Sequence, residues 1–326
     1  MKLKFEIVLL IIAFILLSTL AYLELKLKQT GITPIRNPKY YPQYAVGSNN
    51  SILLYELKSG FSGLYDGYTV RLPVTNITIN SDGFRDREYS VEKPNGTYRI
   101  IALGDSFMFG LGVELEESYP KELEAMLNKN SSIKYEVFNF GVPGYNTQQE
   151  IEMLKEKGLK YSPDMVIIGY LGNDIEETKI FENIRAKIKK EYQDSGLSET
   201  NISYKELDER TNSELNAYYK NITFDKAWQN IAVPLENLRN ITLQKNIKVS
   251  MLFYNCPNGP FFENQTIKLE LLSRKNGWLF INLAEVQGKE EQSRLILNQW
   301  DKHPNSYANM LYANYSSEKM KDAGTI

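Results

Sequence analysis

One serine, one histidine and a few carboxylates and amides stand where they could carry out acyl transfer. Ser106 follows Gly104-Asp105, and His303 is the only histidine among 326 residues. A serine hydroxyl is a weak nucleophile and needs a base within hydrogen-bond reach. Imidazole is the side chain whose ordinary titration falls near neutral pH, so a mechanism of this kind must use His303. A carboxylate on the second ring nitrogen would fix the tautomer and stabilise the imidazolium. Asp301, two residues earlier, is the nearest candidate. A tetrahedral intermediate also needs donors aimed at its oxyanion. The backbone N–H groups of Ser106 and Gly144 and the side-chain amide of Asn173 could supply them.

These residues need elements to hold them. Arg99 opens an apolar run, Ile100-Ile101-Ala102-Leu103, that passes straight into Gly104-Asp105-Ser106. A continuous apolar run ending in a turn signal predicts a buried parallel strand. Ser106 then lies just past its carboxyl end, where open α/β sheets place their ligands. Gly104 is expected to supply backbone freedom for a bend, and Asp105 to cap the segment that follows. Further strands are predicted at 135–140, 165–170, 248–254 and 278–283. Helices are predicted at 118–128, 147–157, 224–243 and 305–321. This alternation implies a parallel sheet covered on both faces. The loops holding Ser106, Gly144 and Asn173 then share one edge. The stretch Asp301-Lys302-His303-Pro304-Asn305 heads the last helix, and periodicity alone does not bring it to that edge.

Two regions stand outside the rhythm. Residues 175–220 carry many charges and no strand pattern, and read as a helical insertion: a lid over the site or a solvated excursion. Upstream, Ile52–Tyr55, Tyr68–Leu72 and Ile77–Ile79 read as short strands of a small β appendage, closed by the turn Asn80-Ser81-Asp82-Gly83.

Taken in order, the four loops resemble the SGNH/GDSL hydrolase superfamily over about residues 97–323. Gly104-Asp105-Ser106-Phe107 is similar to the first block and Leu171-Gly172-Asn173-Asp174 to the third. Gly144 matches the second-block glycine best, with Gly141 as second choice, and His303-Pro304 fits the last block. The resemblance implies a three-layer αβα, flavodoxin-like sheet. It also implies a serine esterase with Ser106, His303 and Asp301 as catalytic residues and Ser106, Gly144 and Asn173 as oxyanion hole, without metal or organic cofactor. The sequence departs from the pattern at the acid. Trp300, not Asp, stands three residues before His303, and Asp301 stands two before. The competing arrangement is a Ser–His dyad helped by a backbone carbonyl.

Composition bounds the setting. A net charge of −2 offers no basic field for nucleic acid. The single cysteine, Cys256, excludes an internal disulfide and a Cys-rich metal site, and reads as structural. Lys2 and Lys4 precede seventeen residues, Ile7–Leu23, with neither charge nor proline. At roughly 1.5 Å each these reach the short end of a membrane span, and an uncleaved anchor is favoured over a cleaved signal peptide. Nine Asn-x-Ser/Thr sequons follow, at Asn49, Asn76, Asn95, Asn130, Asn201, Asn221, Asn240, Asn264 and Asn314. They favour an exported, glycosylated domain with its N-terminus inside the cell. The expected organisation is an anchor or signal at 1–28, a linker and β appendage at 29–97, and a hydrolase domain at 98–326 with the helical insertion about 175–245. The expected function is hydrolysis of an O-acyl ester, with surface glycans the natural substrates for an outward-facing domain. An O-acyltransferase on the same site and a non-catalytic glycan-binding protein are the alternatives.

Overall fold

The computed structural model describes residues 43–65, 72–177, 180–196, 204–254 and 261–326. The expected membrane anchor, most of the predicted strand at 68–72, Asn201 and Cys256 lie outside them.

Two antiparallel ribbons come first: β1 (Ala45–Gly47) with β2 (Tyr55–Leu57), and β3 (Ser62–Tyr65) with β4 (Thr75–Thr78). The sheet then begins with β5 (Thr97–Gly104), followed by the short helix α1 (Ser106–Phe109), α2 (Tyr119–Asn128) and β6 (Lys134–Gly141). Next come α3 (Thr147–Met153), β7 (Met165–Tyr170), α4 (Ile180–Asp194), α5 (Tyr204–Lys220), α6 (Phe224–Lys245) and β8 (Lys248–Phe253). The chain closes with α7 (Phe262–Lys275), β9 (Leu279–Asn282), α8 (Ala284–Gln287), β10 (Ile296–Asn298), β11 (Asp301–Pro304) and α9 (Ser306–Asp322).

The central sheet has five parallel strands in the order β6-β5-β7-β8-β9. Counted along the chain this is 2-1-3-4-5, the flavodoxin-like order, whose switch point lies between the first and third strands. The strands read as unbroken apolar runs because both faces are covered. Alternate residues sort cleanly. Ile101, Leu103, Val166, Ile168, Met251 and Phe253 point to one face, against Ile151 of α3 and Ile231, Leu235 and Leu238 of α6. Ile100, Ala102, Met165, Ile167 and Leu252 point to the other, against Leu123 and Leu127 of α2 and Tyr312, Ala313 and Met320 of α9. The ribbons pack on the first face: Tyr44, Leu53, Leu57, Tyr65 and Ile77 join the same core as α3 and α6.

The structure departs from the sequence reading in several places. The strand expected at Ile52–Tyr55 is a turn up to Leu54, whose φ is +63°, and β2 starts only at Tyr55. α7 and the β10–β11 hairpin carry no strong periodicity and were not expected. The predicted helix at 147–157 is α-helical only to Met153 and continues as one wider turn, Leu154–Gly158. Gly104 needs no special backbone angle. It is glycine because an added Cβ would lie 2.6 Å from Met108 Cβ, so the sharp turn after β5 folds back against the strand.

Candidate active site

Ser106 is the first residue of α1, directly after β5. Asp105 caps this helix, its Oδ1 accepting from Phe107 N at 2.9 Å. Burial pushes the Asp105 carboxyl up to about 6, against the Phe107 N–H bond and the positive charge of His303. The helix is a single turn and would be unstable alone. Three devices hold it. Gly141, at the end of β6, lets the α1 backbone approach so closely that a Cβ there would sit 2.2 Å from Phe109 N. Asn139 Nδ2 donates to Phe109 O at 3.2 Å. Arg85, fully buried, donates to the carbonyls of Phe109 (3.0 Å), Gly110 (2.6 Å) and Val113 (2.7 Å), filling acceptors that a helix end leaves open. Burial pulls its guanidinium down to about 10, still charged at neutral pH.

The hairpin carries the other partners. On a strand, residues i and i+2 share a face. Asp301 and His303 therefore point the same way from β11, and the Asp-x-His spacing suits a strand. His303 Nε2 lies 2.7 Å from Ser106 Oγ, and Asp301 Oδ1 lies 2.6 Å from His303 Nδ1. The same Oδ1 accepts from His303 N at 2.9 Å. Burial would raise the Asp301 carboxyl, but the hydrogen bonds and charge of His303 together hold it below its ordinary value. Asn298 Oδ1 pins the turn by accepting from Trp300 N (2.9 Å) and Asp301 N (3.0 Å). Asn305 Nδ2 ties the hairpin base to Arg294 O and Ile296 O, while its Oδ1 caps α9 through Ala308 N. Phe107 packs against the imidazole, ring centres 5.1 Å apart.

Of the second-block glycines, Gly141 is engaged: its N–H donates to Asn139 Oδ1 at 3.0 Å. Gly144 is exposed at the loop tip with φ +84°, a conformation that favours glycine. Tyr55, from the appendage, fixes this loop. Its hydroxyl donates to Pro143 O at 2.6 Å, and the Tyr145 hydroxyl donates to Tyr55 O. Asn173 sits in the helical turn Gly172–Ile175 after β7, its Oδ1 buried without a partner. Gln265 of α7 anchors that turn through Gly172 O at 3.1 Å. Ser106 and Asn173 thus follow the two strands that flank the topological switch point.

Sequence reasoning missed Arg85, Tyr55 and Glu150. Arg85 hid in the charged run Arg85-Asp86-Arg87. Tyr55 belonged to a predicted strand with no sign of what it faces. Glu150 did leave a signal: Thr147, Glu150, Ile151 and Leu154 form one helical stripe, so a Glu stands at a core position. Among the described residues no cluster of three or more His, Cys, Asp or Glu could hold a metal ion.

A doubly wound parallel sheet with a serine, an imidazole and a carboxylate in hydrogen-bonded series at its carboxyl edge carries the constellation of a serine hydrolase. Residues 100–242 match the family model for GDSL-like lipases/acylhydrolases, a span that includes Ser106, Gly144 and Asn173 and ends before the hairpin. Over this stretch the chain is similar to the GDSL-like lipases/acylhydrolases, and with the site it is a serine ester hydrolase. No curated protein matches the sequence. Among solved structures, it is similar to a G-D-S-L family lipolytic protein from Desulfitobacterium hafniense (16% identity, 68% of this chain and 98% of that one, TM-score 0.43). It is also similar to TesA (15%, 69% and 99%, TM-score 0.46) and to a family 3 carbohydrate esterase from Clostridium thermocellum (17%, 69% and 96%, TM-score 0.43).

Proposed function

We propose that this protein is a membrane-anchored, extracytoplasmic esterase that removes O-acyl groups from surface glycans through an acyl-Ser106 intermediate. The observation that carries the chemistry is the series Ser106 Oγ, His303 Nε2, His303 Nδ1 and Asp301 Oδ1, with successive contacts of 2.7 and 2.6 Å. His303 Nε2 takes the Ser106 proton as Oγ attacks the ester carbonyl. Asp301 keeps the other proton on Nδ1 and balances the imidazolium. The oxyanion forms beside the Ser106 N–H, which the first turn of a helix leaves unpaired. The Gly144 N–H and the Asn173 amide complete the hole. His303 then gives the proton to the departing sugar oxygen, which leaves as a hydroxyl. Water, deprotonated by the same imidazole, releases the acid and restores Ser106.

The location rests on sequence. The uncharged segment Ile7–Leu23 is the anchor, and the sequons are the outward marker. The eight sequon asparagines among the described residues are all exposed, as glycan attachment requires. A solvated β10–β11 rim suits a large polar substrate.

The test uses full-length protein in detergent. A fluorophosphonate probe is expected to label the protein, and Ser106→Ala to abolish labelling. Acetylated oligosaccharide is expected to yield free acetate with or without a carbohydrate acceptor. Transfer product without free acid would make the protein an acyltransferase. Absence of labelling in folded protein would remove the enzymatic reading of the site.

A further inference from the structure

The mechanism above leaves one buried group unused. Glu150 projects from α3 into the interior and is fully buried, and neither carboxylate oxygen has a hydrogen-bond partner. Asp174, in the turn that carries Asn173, is also buried. Its Oδ2 accepts from Leu171 N at 2.9 Å, and its Oδ1 has no partner. Asp105 lies on the Ser106 side of the same cluster. The charges that reach Glu150 are those of Asp174 and Asp105. Glu176 adds to the negative field at Asp174, and His303 faces Asp105. Tyr170 and Tyr254 face the cluster from the sheet. An isolated ionised carboxylate is strongly disfavoured in such a place, and so is a buried acceptor without a donor. Glu150 Oε1 and Oε2 and Asp174 Oδ1 are three such acceptors. A proton on Glu150 turns one of them into a donor and removes a charge.

We infer that Glu150 is a positioning residue that works in its neutral form, donating a hydrogen bond within this cluster so that the Ser106 and Asn173 loops keep their separation. Glu150 acts through Asp174 and Asp105, whose charges reach it. Burial pushes its carboxyl well above the usual range, and Asp174 and Asp105 push it the same way. The position explains why a glutamate stands among the buried residues of α3. An ionised Glu150 would set its charge against those of Asp174 and Asp105.

The inference rests on the esterase reading of the site, and the experiment separates the two. Glu150→Leu keeps the bulk and removes the donor. It is expected to lower kcat about tenfold or more with KM little changed, because the loss falls on transition-state alignment. Glu150→Gln restores a neutral donor and is expected to recover kcat to within about threefold of wild type. A raised carboxyl binds its proton in the folded state and loses it on unfolding. Wild-type stability therefore falls as pH rises above the unfolded value of about 4.3. Glu150→Gln removes that slope, so its melting temperature should gain on wild type steadily as the pH is raised. Two results overturn the inference: Glu150→Gln as impaired as Glu150→Leu, or Glu150→Leu turning over like wild type. Should Glu150→Leu not fold, the melting comparison decides, and a difference between Glu150→Gln and wild type that stays flat or shrinks with pH refutes the neutral form. The melting comparison needs no substrate. An inactive wild type would count against the esterase reading while leaving the test of Glu150 intact.

Discussion

Asp301 and Asp105 both act on His303, one through a 2.6 Å hydrogen bond and the other through its charge. Asp301 stands on a two-stranded hairpin at the rim, with its side chain still 18% exposed. Asp105 stands at the end of β5, next to the central strand β7, and is buried. The imidazole holds Asp301 below its ordinary value, whereas burial takes Asp105 up to about 6. Asp174 and Glu150, behind Asp105, are pushed the same way. One residue type therefore does two jobs. At the rim a carboxylate stays ionised because a cation can form beside it. In the interior the carboxyl groups serve as caps and braces, and what they need is a hydrogen bond rather than a counter-charge.

Four substitutions break or sharpen this contrast. Asp301→Asn removes the charge and leaves the shape. It is expected to lower kcat/KM by about 10²–10⁴-fold with folding intact, measured by ester hydrolysis near neutral pH. A loss of less than about tenfold would mean that a backbone carbonyl suffices to orient His303. Asn173→Ala removes a proposed oxyanion donor, and kcat should fall about 10²–10³-fold with a smaller change in KM. Arg85→Met removes the buried donor shared by the carbonyls of Phe109, Gly110 and Val113, at and after the end of α1. It should cost about 2–4 kcal/mol of stability in denaturant titration, and lower activity only in step with the folded fraction. Asp105→Asn keeps the cap to Phe107 N and drops the interior charge. Activity should change by less than about tenfold, far less than at Asp301. Its stability relative to wild type should rise between about pH 4, where the unfolded Asp titrates, and about pH 6, where the folded one does. Equal losses from Asp105→Asn and Asp301→Asn would erase the distinction between rim and interior.

Much of the sheet was legible before any coordinates. Met165–Tyr170 falls on its predicted bounds, and the edges of β5, β6, β8 and β9 differ from prediction by three residues or fewer. Such runs are local patterns, and a strand buried on both faces leaves a plain one. The hairpin was not legible. Its strands are three and four residues long and part-exposed, so neither alternation nor an apolar run marks them. The appendage was only partly legible: β-structure was expected there, but β1 and β3 were not, and nothing in the sequence shows that Tyr55 and Arg85 brace the loops of Gly144 and Ser106.

By itself the sequence determined that a serine would end a buried strand, that His303 was the only imidazole available to it, and that three loops would share an edge. Strand periodicity and composition are enough for that. The tertiary structure alone decided that His303, 197 residues away, comes within 2.7 Å of Ser106. It also decided that Asp-x-His works because β11 is a strand, that Gly141 is spent on packing, and that Glu150 meets two other acids in the interior. Each of these depends on which surfaces close over which. That is set by the fit of distant elements, and no window of neighbouring residues contains it.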